Sequence, residues 1–223
     1  MPQDLLKYFE KRLSKREIKA VKSGGFVTIS RQTGCNGNSV AAKLVKKLSG
    51  QAKWKYINKE ILEHSAQKLN LKNSKISHLF NADSLSHANE IISALSNRYY
   101  KSDRKLKNTI TEVVRHFAME GNIVIVGRAA VGITSKMSGG LHIRITAPLD
   151  WRINSLKRRK GFEDVDIKKF IDEHDKKKVN IIKRFCNVEF KEIPFDLTLN
   201  CAHFNQDQMV ELIVKAMKLR GIS

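Results

Sequence analysis

The sequence predicts an α/β fold in which a five-stranded parallel sheet is covered by helices on both faces. Five short apolar runs alternate with amphipathic helical segments, a pattern typical of buried parallel strands. The first run is followed by a loop with two glycines and then by a helix, an arrangement that binds anions. With 223 residues and 41% hydrophobic content, the chain can bury one substantial core.

Apolar, β-branched runs predict the strands, and apolar residues at helical spacing predict the helices. Strands are expected near residues 26–30, 54–57, 123–127, 141–146 and 195–199, with the first and third adjacent. Helices are expected near residues 38–48, 59–69, 106–120 and 206–219, from Trp151 onward, and within the basic segment 157–184. Asp150 is expected to cap the helix that starts at Trp151.

The chain divides into a short N-terminal part and one domain. Residues 1–22 predict a basic amphipathic helix, and residues 23–223 form the predicted α/β domain. Within the domain, a polar stretch at about 70–105 predicts a helical insertion, and a basic stretch at about 152–184 predicts a helical lid. The N-terminal helix could bind a partner or a membrane surface, although packing on its own domain is the more common arrangement.

The net charge of +20 favours anionic partners. Nucleic acid is one candidate, and small phosphorylated ligands are the other. The charge is spread over many helices and lacks the aromatic residues on which bases stack, so we favour small phosphorylated ligands. Composition does not indicate an oligomeric state.

Several classes of protein and site are disfavoured. No apolar run approaches the length needed to cross a bilayer, and the charged N-terminus lacks the apolar core of a secretory signal. Cys35, Cys186 and Cys201 lie far apart, which argues against a disulfide framework and favours a reducing cytoplasm. The seven histidines show no metal-binding spacing, so no metal site is expected on the protein itself.

The glycine loop, residues 30–39, is the first candidate site. We expect phosphates to contact it at Ser30, Arg31, Gly34, Cys35, Asn36, Gly37, Asn38 and Ser39. Gly37 stands where the motif G-x-x-x-x-G-K-[ST] has its lysine. A plain strand-to-helix turn is the alternative, because two glycines alone are a weak signal. Cys35 could be a reactive thiol at a helix N-terminus, although filling the turn is the more common role.

Arginines supply two further candidate clusters. Arg128 follows the third strand, and Arg152, Arg158 and Arg159 begin the basic segment. Arginine binds phosphate oxygens through two parallel hydrogen bonds, so these side chains could hold a phosphorylated ligand. Exposed ion pairs are the alternative for any one of them.

Together these motifs resemble the cytidylate kinase-like family, a branch of the P-loop nucleoside monophosphate kinases, over about residues 25–215. Family members typically read I-S-R-x-x-G-S-G-G-R-E-I-A, V-I-V-G-R-x-A, A-P-x-x-x-R, D-x-x-R and D-L-x-x-N. The matching stretches here are Ile29 to Ala41, Val124 to Ala130, Ala147 to Arg152, Asp175 to Lys178 and Asp196 to Asn200. This chain departs from the family at Asn36, Asn38 and Lys178, and it has Ala129-Ala130 where authentic cytidylate kinases carry an acid.

The resemblance implies a P-loop NTPase-like three-layer sandwich that phosphorylates CMP, dCMP or a similar acceptor from ATP, with Mg²⁺ held mainly through the nucleotide. It implies that Arg128 holds the acceptor phosphate and that Arg152, Arg158 or Arg159 neutralises charge during transfer. Asp175 and Lys178 would order the lid or contact the acceptor, and Asn58 and Lys59 would approach the acceptor nucleoside.

Because Gly37 replaces the lysine, we expect Arg31 to act with the lid arginines on the transferring phosphate. A nucleotide-binding regulatory protein with little kinase activity is the alternative that the altered loop favours. A nucleic-acid-binding protein is the alternative that the net charge alone favours.

Overall fold

The structure, a computed structural model, describes residues 24–50, 53–57, 104–159, 161–162, 166–186 and 190–222. Five strands form one sheet: β1 (Phe26–Arg31), β2 (Lys55–Ile57), β3 (Ile123–Val126), β4 (Gly140–Thr146) and β5 (Leu197–Asn200). Their order is β2-β3-β1-β4-β5, and every neighbouring pair is parallel. The predicted five-stranded parallel sheet, with the first and third strands adjacent, is therefore confirmed.

Helices cover both faces of this sheet. The described helices are α1 (Gly37–Leu48), α2 (Arg104–Glu120), α3 (Ala130–Thr134), α4 (Leu149–Lys157), α5 (Ile167–Cys186) and α6 (Gln206–Leu219), with a 3₁₀ turn at Phe190–Glu192. Side chains of α1 and α6, such as Leu44 and Ile213, pack with Val27 of β1. Side chains of α2, α3 and α5 pack on the opposite face around Phe26 and Ile125. The result is the three-layer arrangement that the sequence predicts.

Some predicted boundaries need correction. Helix α4 begins at Leu149, with Pro148 at its N-cap and no side-chain cap, so the expectation that Asp150 caps this helix is wrong. Proline fixes φ near the helical value, so the helix starts earlier than expected. Asp150 instead lies in the first turn, where its negative charge interacts favourably with the positive end of the helix dipole. Strand β5 begins at Leu197, two residues later than expected. Helix α5 begins only at Ile167, beyond a left-handed Gly161.

Other predicted elements lie outside the described residues. These are the N-terminal helix at 1–22, the helix at 59–69, the insertion at 70–105 except for its last two residues, and the residues Asn58 and Lys59. Among the helices that the structure describes, none is long and apolar enough to cross a membrane.

The strand order places the glycine loop at the switch point of the sheet. β1 is central, with β3 on one side and β4 on the other, so the chain leaves β1 where the connections diverge. In open parallel sheets, ligands bind at this point, outside the carboxyl ends of the strands. The ends of β1, β3 and β4 therefore define the place to look for a site.

Candidate functional site

The glycine loop presents unpaired backbone donors at the start of α1. Gly34 has a φ of +93°, a backbone conformation that residues with a Cβ rarely adopt. Within the described part of the chain, no acceptor binds the N–H groups of Asn36, Asn38 and Ser39. The first turn of α1 contains no acidic residue, so its positive end is not neutralised there. The loop can therefore bind an anion through its main chain.

The side chain of Arg31 fills the space that Gly37 leaves open. A Cβ added at Gly37 would lie 3.1 Å from both Cγ and Cδ of Arg31. A Cβ added at Gly127 would lie only 2.3 Å from Nη1 of the same arginine. Two glycines on different loops thus leave room for one arginine, whose stem lies over the start of α1 and whose guanidinium lies over the end of β3.

The guanidinium of Arg31 is a cation without a hydrogen-bond or ion-pair partner among the described residues. No hydrogen bond or ion pair to it is present among the described residues. Burial, together with the nearby charge of Arg128, lowers its pKa to about 10. Arg31 therefore keeps its charge at neutral pH, and an anion that enters beside it would meet an unneutralised guanidinium.

Asp175 of α5 connects α4 and α5 to the glycine loop. Its Oδ1 accepts hydrogen bonds from the backbone N–H of Thr33 at 2.8 Å and from the Thr33 hydroxyl at 2.7 Å. Its Oδ2 accepts from Nη1 of Arg152 at 2.7 Å. Lys178, one turn along α5, donates to the Thr33 hydroxyl at 2.6 Å and lies 3.2 Å from Oδ1. Burial raises the pKa of Asp175, but Lys178 and the Thr33 hydrogen bonds outweigh it, so the pKa is lowered overall.

Arg152 is enclosed by the protein. Its side chain is only 9% exposed, and besides Asp175 it donates to the carbonyl oxygens of Ala147 at 3.1 Å and Thr33 at 3.3 Å. These contacts occupy its Nε and Nη1 groups. We therefore propose that Arg152 positions the glycine loop and α5, in place of the direct contact with the transferring phosphate expected from the sequence.

The loss of Asp175 should weaken the fold measurably. Asp175→Asn removes the charge that Arg152 and Lys178 face, and we expect the free energy of unfolding to fall by about 1.5–3 kcal/mol in urea titrations at pH 7. Asp172→Asn, an exposed position on the same helix, is the matched control and should change little in free energy of unfolding.

Because the pKa of Asp175 is lowered in the folded protein, its contribution to stability is present above the ordinary value of 3.8. The contribution is lost as the pH falls through the folded-state pKa of Asp175. The free energies of unfolding of wild type and Asp175→Asn should therefore become equal in acid. Equal stability at pH 7 would contradict this role.

A larger cavity, about 650 Å³, lies on the α1 and α4 side of the glycine loop. Arg158, Arg159, Lys43 and Asn36 contribute polar groups to its wall, and Trp151 and Phe204 contribute aromatic surface. Arg159 donates to the Gly34 carbonyl at 3.2 Å and to the Asn36 side chain at 2.7 Å. Arg158 is exposed, and its Nε donates to the Asn154 carbonyl of α4 at 3.2 Å.

A smaller cavity, about 190 Å³, lies on the other side of the loop. Its polar lining consists of Ser30, Arg31, Arg128, His174, Lys177 and Lys178. Burial and the charge of Arg31 lower the pKa of Lys178 to about 8. The His174 Nδ1 faces the Phe170 carbonyl at 2.8 Å, and burial lowers its pKa, so the ring is neutral at pH 7. This cavity combines one neutral imidazole with four basic side chains, those of Arg31, Arg128, Lys177 and Lys178.

Arg128 enters this smaller cavity from a strained turn. Gly127, Arg128 and Ala129 have successive φ values of +74°, +57° and +55°. Left-handed backbone costs about 1–2 kcal/mol at a non-glycine residue, and such strain concentrates at functional sites. The Gly127 N–H bonds to the Ile29 carbonyl at 3.0 Å, which ties this turn to the neighbouring strand β1.

Comparison with known proteins identifies the family of this chain. The model of the cytidylate kinase-like family matches residues 26–203, from the first residue of β1 to just beyond β5. This chain belongs to the cytidylate kinase-like family. The resemblance recognised in the sequence is thus confirmed over the whole sheet.

Solved structures similar to this cytidylate kinase-like protein show the fold alone. An uncharacterized protein from Eubacterium ventriosum is 19% identical, with a TM-score of 0.62 over 88% of this chain and 99% of that chain. A shikimate kinase from Bacteroides thetaiotaomicron is 9% identical, with a TM-score of 0.49 over 88% of this chain and 98% of that chain. No curated protein matches the chain.

The cytidylate kinase-like fold brings most of the sequence-predicted residues together and adds others. Arg31, Arg128 and Lys178 share the smaller cavity, whereas Asn36, Arg158 and Arg159 share the larger one. Sequence patterns did not indicate Thr33, which bonds to Asp175 and Lys178 of α5, or His174, which lies on α5 and lines the smaller cavity. Their positions in the sequence were the one indication of a role, since Thr33 lies inside the glycine loop and His174 directly precedes Asp175. Among the described residues, no group of three or more His, Cys, Asp or Glu could hold a metal ion.

Proposed function

We propose that this protein transfers a phosphoryl group from ATP to a pyrimidine nucleoside monophosphate such as CMP or dCMP. The path of Arg31 supports this proposal most strongly. Its stem covers Gly37 in the glycine loop, and its guanidinium reaches Gly127 in the smaller cavity. One cation therefore extends from the loop that would hold a donor phosphate to the cavity that would hold an acceptor phosphate.

ATP fits the loop and the larger cavity. The free N–H groups of Asn36, Asn38 and Ser39 match the oxygens of a polyphosphate. The larger cavity offers aromatic surface at Trp151 and Phe204 for a nucleoside. Because the described residues lack a carboxylate cluster, Mg²⁺ would be held mainly by nucleotide oxygens and water, where it would neutralise phosphate charge.

The smaller cavity would receive the phosphate of a nucleoside monophosphate. Arg128 and Lys178 would bind its phosphate there, opposite the donor phosphate across Arg31. The preference for a pyrimidine comes from the family, and Asn58 and Lys59, which follow β2 directly, are the proposed contacts to the nucleoside. Together these residues would hold the acceptor oxygen in line with the bond that breaks.

Catalysis would consist of positioning and charge neutralisation. As the bond from the terminal phosphorus to ADP breaks and the bond to the acceptor oxygen forms, negative charge spreads over the oxygens between the two cavities. Arg31 would meet that charge from between the two cavities, and Arg158 or Arg159 would meet it from the larger cavity. Arg152 and Asp175 would act indirectly by fixing the loop and α5.

A coupled assay of ADP release tests the proposal. Purified protein is mixed with ATP-Mg²⁺ and each of a panel of nucleoside monophosphates, with small phosphate-accepting metabolites as comparison. We expect release that depends on the acceptor and is fastest with CMP or dCMP. ATP hydrolysis that no monophosphate accelerates would count against the proposal.

The alternative is a nucleotide-binding regulatory protein with little kinase activity. Gly37 in the lysine position and Ala129-Ala130 in place of an acid favour it. Under this alternative, ATP raises the melting temperature while the assay detects no turnover with any monophosphate. Binding of DNA or RNA that falls steeply with salt, without a response to nucleotides, would instead select a nucleic-acid-binding protein.

Arg128 provides a specific test of the acceptor site. Arg128→Ala should weaken CMP binding by roughly ten- to a hundredfold, because a charge-assisted contact of about 1.5–3 kcal/mol is lost. ATP binding should survive, since Arg128 lines only the smaller of the two cavities. Isothermal titration with CMP and with ATP measures both, and Arg115→Ala, exposed on α2, is the control. Unchanged CMP affinity would remove Arg128 from the site.

A further inference from the structure

An unpaired imidazole nitrogen lies in the wall of the smaller cavity. His174 of α5 is 6% exposed, and its side chain is part of the cavity lining. Its Nε2 is buried and has no hydrogen-bond partner among the residues that the structure describes. Folded proteins pair nearly all of their buried polar atoms, because an unpaired one is destabilising. A buried nitrogen left unpaired beside a cavity therefore indicates a partner that arrives with a ligand.

Contacts within α5 decide which nitrogen of the ring carries the proton. Nδ1 of His174 lies 2.8 Å from the carbonyl oxygen of Phe170, one turn earlier on the helix. A carbonyl oxygen only accepts hydrogen bonds, so Nδ1 carries the proton and Nε2, at the outer end of the ring, has a free lone pair. The imidazole also packs on the Phe170 ring, with centroids 3.8 Å apart. Two contacts thus hold the ring and leave its acceptor nitrogen unpaired.

The surroundings of His174 keep the ring neutral. Burial lowers its pKa, and the charges of Lys177 and Lys178 lower it further. The hydrogen bond to Phe170 and the charge of Glu173 act in the opposite direction, but the pKa is lowered overall. At neutral pH, Nε2 is therefore a hydrogen-bond acceptor and not a cationic donor.

The charged groups of the cavity wall are all hydrogen-bond donors. The basic side chains in the described lining are those of Arg31, Arg128, Lys177 and Lys178. These groups bind an anion, whereas a lone pair on Nε2 repels a phosphate oxygen. The Ser30 hydroxyl is the other side-chain acceptor in this lining, and it can also turn its proton toward a ligand. The cavity therefore favours a ligand that combines a phosphate with a neutral hydrogen-bond donor.

We propose that Nε2 of His174 accepts a hydrogen bond from a hydroxyl or amino group of the phosphorylated molecule in the smaller cavity, and that this bond determines which molecule binds there. Because Nε2 is enclosed, the ring or a neighbouring side chain shifts as the ligand enters. The role is recognition and not base catalysis, since the acceptor oxygen of a monophosphate is already ionised at neutral pH.

Two groups of a pyrimidine nucleoside monophosphate could supply this hydrogen bond. One is the ribose hydroxyl that deoxyribose lacks, and the other is the exocyclic amino group of cytosine, which uracil replaces with a carbonyl. The choice of these nucleotides rests on the proposed function, whereas the need for a neutral donor does not. Comparing CMP with dCMP and with UMP separates the two sources.

Isothermal titration of the full chain with CMP, dCMP and UMP tests the proposal in wild type and in His174→Phe. The phenylalanine keeps a ring beside Phe170 but has no nitrogen. We expect wild type to bind CMP about five- to thirtyfold more tightly than the analogue that lacks the bonded group. In His174→Phe that difference should disappear, because the nitrogen that reads the group is absent. Loss of the difference from dCMP assigns the bond to the sugar hydroxyl, and loss of the difference from UMP assigns it to the amino group.

Two further variants distinguish recognition from a structural role. His174→Gln retains an acceptor oxygen on a side chain of similar reach and should keep part of the discrimination between the nucleotides. Lys176→Gln, exposed on α5, is the matched control and should bind every ligand as wild type does. His174→Phe should unfold at the wild-type temperature or above it, because it removes a buried, unpaired nitrogen.

The outcomes separate this proposal from the proposed function. Undiminished discrimination in folded His174→Phe overturns the role of His174, as does equal weakening of all three nucleotides, which marks a steric effect. Unfolding of His174→Phe well below the wild-type temperature also overturns it, because the imidazole is then structural.

If wild type binds none of the nucleotides, the proposed function fails, and ribose 5-phosphate and inorganic phosphate decide the role of His174. Wild type should then bind the sugar phosphate more tightly than phosphate, and His174→Phe should bind the two equally. The same affinity of wild type for both probes overturns the proposal.

Discussion

Arg31→Ala is expected to lower kcat for phosphoryl transfer on the order of a thousandfold, with a much smaller loss of ATP affinity. Arg31 carries a guanidinium that no described residue neutralises, and it lies between the glycine loop and the cavity that contains Arg128. An interaction that strengthens as charge develops in the transition state affects kcat more than binding. Steady-state kinetics with CMP, together with ATP titration, measures both quantities.

A compensating pair of substitutions sharpens this test. Gly37→Lys in the wild-type background should lower turnover, because its Cβ would lie 3.1 Å from Cγ and Cδ of Arg31 and would shift that side chain. In the Arg31→Ala background the same lysine has room, and it restores a cation at the position where the phosphate-binding motif carries one. We expect the double variant to recover at least tenfold over Arg31→Ala.

Matched measurements decide the interpretation. Arg115→Ala, exposed on α2, removes a charge remote from the cavities and should turn over normally. Near-normal turnover in Arg31→Ala would show that the arginine does not replace the lysine. A loss of ATP affinity with an unchanged kcat would assign Arg31 to binding alone.

Gly34→Val should abolish ATP binding and destabilise the fold by about 2–5 kcal/mol. The backbone of Gly34 has a φ of +93°, which is strained for any residue with a Cβ. A Cβ there would also lie 2.9 Å from the Arg152 Cβ and 3.0 Å from its carbonyl oxygen, so the loop must move away from α4. The movement displaces the N–H groups that would receive a phosphate. Urea unfolding and ATP-dependent thermal shift measure the two effects.

Gly50→Val is the matched control for this substitution. Gly50 follows α1, is exposed, and has open space where its Cβ would point. It should retain the ATP response with only a small change in stability. A persistent ATP-induced shift in folded Gly34→Val would exclude the glycine loop as the donor site.

The sheet could be predicted from sequence because its signals are local. The helix Gln206–Leu219 matches its predicted bounds, and the strand Ile123–Val126 ends one residue before its predicted end, since apolar spacing strongly indicates such elements. The start of α4 was misjudged because a polar Asp150 next to Trp151 resembles a cap, whereas Pro148 begins the helix without any side-chain hydrogen bond.

The site was predictable only in part because its contacts join distant segments. The sequence predicts that Arg31 acts in place of a lysine. The course of its side chain past Gly37 and Gly127 could not be predicted, because it depends on two loops that are distant in sequence. Arg152 was expected to meet phosphate because arginine commonly does so. Its burial against Asp175 depends on the packing of α4 on α5, which no local pattern contains.

The link between Asp175 and Thr33 also has a consequence for the order of folding. These two residues are 142 positions apart, so their hydrogen bonds close a long loop. The bonds stabilise the fold only after the chain has lost the conformational entropy of that loop. The parallel pairing of β1, β3 and β4 must precede them, because it brings α5 within reach of the loop. We therefore expect the contact between α5 and the glycine loop to form late in folding and to open readily in the folded protein. Amide hydrogen exchange at the Thr33 N–H would report that opening at a single position.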